Sequence, residues 1–207
     1  DAGMGFAVSD YPEGLDEAKM RQHVQDVITH LEARGVPPHL QSYSGYSLGG
    51  FPALVAANLN PEAAGLHITS TFSSARQYAK ENIDAHWAGF LVDKTKIDQK
   101  LDNIAEVDLL CQQQGQRPGG PMPVSVIYSE HEDFGKMEHG EVKNRHMSPL
   151  TDRLLAHYPD PAQVDVAVSG SAGYRFNNED LDAHAGILHT DDRKHSFAAF
   201  LQQANAC

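Results

Sequence analysis

Cysteine is nearly absent from this chain: two thiols, Cys111 and Cys207, stand among 207 residues. Two cysteines make no disulfide framework, so a core must hold the fold, and two unpaired thiols are the expected state. Basic charge is also scarce, with 16 lysines and arginines against 28 acids, for a net charge of −12. Such a surface repels phosphate backbones and anionic membranes, which disfavours nucleic-acid binding. No apolar run approaches the ~20 residues that span a bilayer, so no integral membrane segment is expected. No signal-peptide pattern is visible, and the chain starts Asp-Ala-Gly-Met, as a processed form or an excised domain would. That leaves the compartment unknown. What remains is an ordinary apolar content of 41% in a length suited to a single domain, residues 1–207.

The hydrophobic pattern alternates between two periods. Residues 5–9 (Gly-Phe-Ala-Val-Ser) read as a short buried strand. Over residues 15–34 the apolar positions Met20, Val24, Val27, Ile28 and Leu31 recur at helical spacing, and Gly35 with Pro37 and Pro38 ends the helix. Residues 39–43 are the next strand, residues 51–59 an alanine-rich helix, and residues 64–72 a further strand. Strand, helix, strand, helix, strand implies an α/β fold, a mostly parallel sheet with helices on both faces. Residues 74–116 then read as two helices with no strand between them. They are expected either to form a lid above the carboxyl ends of the strands or simply to pack on the sheet. The clearest strand, residues 123–128, is followed by an acidic loop, a helix containing Leu150, Leu154, Leu155 and Tyr158, and a last strand at residues 164–168. Residues 169–181 read as a loop, and residues 196–203 as a final helix. No internal repeat is present.

Between the second strand and the helix after it lies Gly45-Tyr46-Ser47-Leu48-Gly49, a G-x-S-x-G. Placed there, the pattern fits a tight turn that presents a nucleophilic serine, with small residues two before and two after where strand and helix pass closely. The competing reading is a plain strand-to-helix turn. A serine hydroxyl is a poor nucleophile near neutral pH and requires an imidazole base oriented by a carboxylate. Both follow in the chain. Glu130, Glu132 and Asp133 come after the strand at 123–128, and His184, His189 and His195 come after the strand at 164–168. His131, Glu132, Asp133 and His139 match no compact metal-ligand spacing and read as a charged loop.

These segments resemble the α/β-hydrolase superfamily, the lipase, esterase and thioesterase type of serine hydrolase. The resemblance rests on Gly45-Tyr-Ser-Leu-Gly-Gly50, on Pro123-Val-Ser-Val-Ile-Tyr-Ser-Glu-His-Glu-Asp133, and on His184-Ala-Gly-Ile-Leu188 followed by Phe200-Leu201. It covers nearly the whole chain from about residue 5. It implies acyl transfer through a covalent acyl-serine, with no metal or organic cofactor. Ser47 is the implied nucleophile and His184 the implied base, with His195 and His189 as alternatives. Asp133 is the implied acid, with Glu132, at the family's usual distance from the strand, as the alternative. The Leu48 N–H would be one oxyanion donor. In the family the other donor follows an earlier strand, but here only Asp1 to Met4 precede the strand at 5–9. The N-terminal strands are therefore expected to be missing or reduced.

The expected function is cleavage of a carboxylic ester or thioester. Lipid esters are one substrate class that fits if residues 74–116 form an apolar lid, and small esters or acyl carriers fit equally. The alternative is a non-catalytic α/β-hydrolase-fold domain that binds a ligand or a protein partner in the same pocket.

Overall fold

In the computed structural model, residues 17–74, 101–129, 147–169, 173–176, 179–182 and 191–204 are described. The strand expected at residues 5–9 lies outside them. Met20 and Ile28 face inward from helix α1, Glu17–Ala33, as the spacing predicts. Gly35 stops that helix in a left-handed conformation (φ +84°) that glycine adopts without a Cβ penalty. A short 3-10 turn at Pro38–Leu40 occupies the start of the expected strand at 39–43. Pro37 and Pro38 lack the N–H groups a strand ladder uses, so pairing begins later. The strand itself, β1, runs Ser42–Tyr46. It leads through a 3-10 turn at Ser47–Gly49 into α2, Gly50–Leu59. Strand β2 follows at Gly65–Thr69.

The sheet continues with β3, Val124–Ser129, and β4, Val164–Ser169. All three pairings are parallel, and the spatial order is β1-β2-β3-β4. The chain has an α/β architecture, a parallel sheet layered with helices. Among the described residues the sheet ends at β1 on one side and β4 on the other. Burial of β2 at all five positions follows from its central place between two covered faces.

Leu66, Ile68, Val124 and Val126 point to one face, where they meet α2, α3 (Asn103–Gln114) and α4 (Met147–His157). Leu54, Ala57, Val107, Leu110, Leu150 and Leu154 complete that core. Helix α2 is apolar nearly all round, as a helix buried on every side must be. Met20, Phe51, Val55, Phe72 and Leu101 join α1 to its outer side. The opposite face carries α5, Asp191–Ala204, which seats Phe200 and Ala204 against Ala64. There His67, fully buried on β2, lies 3.1 Å from Ser125 Oγ and 3.1 Å from Thr69 Oγ1, and Ser125 lies 3.1 Å from Ser196 Oγ.

One of two open arrangements is found here, and two expectations are corrected. The second of the two helices placed in residues 74–116 is α3, and it packs in the core with Val107 and Leu110 fully buried, the second of the arrangements expected. It starts at Asn103. Leu101 is left-handed (φ +54°), and the Asp102 carboxylate caps the N–H groups of Ile104 and Ala105. Residues 75–100 lie outside the described set. The loop expected at 169–181 contains an antiparallel hairpin, β5 (Gly173–Phe176) with β6 (Glu179–Asp182). The last helix begins at Asp191 rather than at residue 196, its first turn held by a Lys194–Asp191 ion pair of 2.9 Å.

Both ends of the stretch 75–100 are fixed to each other. Ser74 and Asp102 form an isolated antiparallel bridge, and Ile104 N–H donates to the Ser73 carbonyl at 3.3 Å. The Leu101 N–H donates to Glu17 on α1 at 3.0 Å. Among the described residues no helix is long and apolar enough to cross a membrane.

Candidate active site

Ser47 occupies the first position after β1 and has φ +53°, the left-handed region that a residue with a Cβ rarely enters. Such strain persists only where the surroundings enforce it. Two close approaches do so. A Cβ built on Gly45 would clash with the Gly49 carbonyl oxygen and lie 2.8 Å from the Gly50 Cα. A Cβ on Gly50 would run into Thr71 Oγ1 and lie 2.5 Å from Thr71 Cβ. The expectation of small residues two before and two after the serine therefore holds for Gly45 and is corrected for Gly49. A Cβ on Gly49 would meet nothing within 4 Å, because its helical φ of −64° turns it outward. The tight position is Gly50, where the helix passes Thr71 in the segment after β2.

The segment after β2 buttresses this turn. Thr71 Oγ1 donates to the Ser47 carbonyl at 2.6 Å. Asn103 Nδ2, from the start of α3, lies 3.1 Å from Thr71 Oγ1 and 2.5 Å from the Phe72 carbonyl. The Thr71 N–H donates to Met147 Sδ at 3.2 Å, tying in α4 as well. Thr71 and Asn103 are both fully buried. Sequence reading missed the part played by Thr71, Asn103 and Gly50. Only the Gly-Gly pair at 49–50 signals it in the sequence, and the close approach falls on its second member.

In a parallel sheet the carboxyl ends of all strands lie along one edge. Tyr46 pairs with Thr69, Thr69 with Ile127, and Ser129 with Ser169, so β1, β3 and β4 all end at the edge that carries Ser47. The chain enters residues 130–146 and 170–172 from that same edge. Glu130, Glu132, Asp133, His184 and His189 lie outside the described residues. His195 lies within α5, on an exposed position beside the buried Ser196. No contact among the described residues joins it to Ser47. Leu48 opens the turn into α2, with its side chain against the Met20 and Phe51 cluster. Its backbone N–H belongs to the first turn leading into that helix, where the helix dipole favours negative charge. Among the described residues no group of three His, Cys, Asp or Glu side chains gathers as a metal-binding set.

A parallel sheet with a serine at φ +53° between its strand and the helix behind it defines an α/β-hydrolase fold. Solved structures agree. An esterase from Pyrococcus furiosus superposes with a TM-score of 0.55 at 10% identity, over 88% of this chain and 61% of the esterase. In another crystal form the same esterase gives 0.55 at 11% identity, over 92% of this chain and 63% of its own. A sugar hydrolase from Lactococcus lactis gives 0.56 at 14% identity, over 94% of this chain and 74% of that one. The likeness is one of fold, and the chain spans less than two thirds of the length of the esterase. No protein-family model matches the sequence, and no curated protein matches it.

Proposed function

We propose that this chain is a serine hydrolase that cleaves carboxylic esters or thioesters through an acyl-serine intermediate. The observation that supports the reading is the backbone of Ser47, held at φ +53° between Gly45 and Gly50. A strained serine presented at the carboxyl edge of a parallel sheet has an evident use in nucleophilic attack.

In this reading His184 takes the Ser47 proton as Oγ bonds to the acyl carbon. Asp133, or Glu132 beside it, orients the imidazole and stabilises its charged form. The oxygen of the tetrahedral intermediate carries the negative charge and accepts from the Leu48 N–H. The bond to the leaving oxygen or sulfur then breaks, and His184 returns the proton to that group. Water, deprotonated by the same imidazole, attacks the acyl carbon and frees Ser47. The chemistry draws on no metal or organic cofactor. That the structural relatives carry the names esterase and sugar hydrolase is consistent with hydrolysis.

An alkyl fluorophosphonate probe tests the proposal. Wild type should be labelled covalently and Ser47→Ala should not. Equal labelling of the two would reject the enzyme and leave a non-catalytic binding domain of the same fold.

A further inference from the structure

The hydrogen bonds behind Ser47 have a fixed direction. The Phe72 carbonyl only accepts, so the NH₂ end of the Asn103 amide must face it. That same Nδ2 is 3.1 Å from Thr71 Oγ1, which makes the threonine oxygen the acceptor. The Thr71 proton is then left for the Ser47 carbonyl, 2.6 Å away, which also only accepts. Donation runs one way, from Asn103 to Thr71 to Ser47.

The Ser47 carbonyl and the Leu48 N–H are the two ends of one planar trans peptide. Fixing the oxygen fixes the direction of the N–H on the other side. Gly50 N–H also donates to this carbonyl, so backbone and side chain both hold it. Donation to a carbonyl also polarises its peptide, strengthening the N–H as a donor by roughly 10–30% per bond in condensed-phase estimates. Loss of the Thr71 bond removes one of the donors that hold this peptide beside a residue at φ +53°.

We infer that Thr71 and Asn103 are positioning residues for the oxyanion donor, aiming and polarising the Leu48 N–H from behind without touching substrate. The inference rests on the serine hydrolase reading above. The role lies in the Thr71 hydroxyl, since valine matches its shape without that donor.

The test compares wild type, Thr71→Ser, Thr71→Val, Asn103→Leu and Ser47→Ala in labelling by an alkyl fluorophosphonate at a series of probe concentrations. Thr71→Ser keeps the donor and should react within about twofold of wild type. Thr71→Val and Asn103→Leu should lose about tenfold in the limiting rate, less than the ~10²–10³ lost when an oxyanion donor is itself removed. The half-saturating probe concentration should stay unchanged, because the effect belongs to the transition state. The Leu48 amide proton should also move upfield in the NMR spectrum of Thr71→Val. Wild-type labelling by Thr71→Val, or a loss confined to half-saturation, overturns the inference while Ser47→Ala still supports the hydrolase. If Thr71→Val does not fold, Asn103→Leu against Thr71→Ser decides it by the same measurements. If wild type and Ser47→Ala label alike, the hydrolase reading fails instead, and this inference falls with it.

Discussion

A Cβ on Gly45 would stand 2.7 Å from the Gly49 carbonyl carbon, yet the same atom on Gly49 would meet nothing within 4 Å. The two glycines of the motif are thus unequal. Gly45→Ala should lose about 2 kcal/mol or more in chemical denaturation, because backbone rather than a flexible side chain must give way. Gly49→Ala should remain within about 0.5 kcal/mol of wild type. Equal losses at the two sites would contradict the geometry.

Glu106, 5% exposed, is held by Arg21 from α1 and by Asn58 Nδ2 at 2.8 Å from α2. Arg21 also lies over the Phe51 ring, 5.4 Å from its centre. Arg21→Met should leave the carboxylate under-compensated and lower stability by about 1–3 kcal/mol, below the full cost for a buried pair because Arg21 is partly exposed. Adding Glu106→Gln should recover part of that loss, read from urea midpoints. A second change that only adds to the first would rule out the buried charge as the cause.

Burial in the α3 core, helped by the nearby Asp108 charge, pushes the Cys111 thiol up to about 11. In a Cys207→Ser background, Ellman's reagent at pH 8 should leave folded protein unreacted and react fully once urea unfolds it. The folded value lies above the ordinary 9.0, so the thiol's contribution is complete below pH 9 and is lost as pH rises through 11. Cys111→Ala should not show that alkaline decline.

Among the three histidine candidates, only His195 lies in the described structure, exposed within α5. His184→Ala should lower kcat by ~10³-fold or more, whereas His189→Ala and His195→Ala should stay near wild type. In wild type kcat/KM should rise through about pH 6–7, where an imidazole base sheds its proton. An unchanged rate in His184→Ala would move the role to one of the other two.

Strands β3 and β4 were legible through their valine-rich stretches, Val124 to Ile127 and Val164 to Val168, whereas β1, Ser-Tyr-Ser-Gly-Tyr, was marked by the motif that follows it. Helix α1 declared itself through its period, and the turn at Ser47 through its glycine spacing. The hairpin at 173–182 did not, since its strands are only four residues long, neither carries a β-branched residue, and Glu-Asp-Leu-Asp is mostly acidic. The first turn of α5 was missed because Asp191-Asp-Arg-Lys194 has no apolar face. Thr71 and Asn103 were invisible for a different reason. They act on residues 24 and 32 positions away in sequence, and no local pattern records a contact made by folding.

The bridge between Ser74 and Asp102 holds two points far apart in the chain side by side. It brings the segment after β2 to the start of α3, where Asn103 meets Thr71. Thr71 in turn reaches the Ser47 carbonyl. The seam that closes the chain at Ser74 and Asp102 thus stands two hydrogen bonds from the nucleophile, and a change made at the seam is relayed to it through side chains rather than through the sheet.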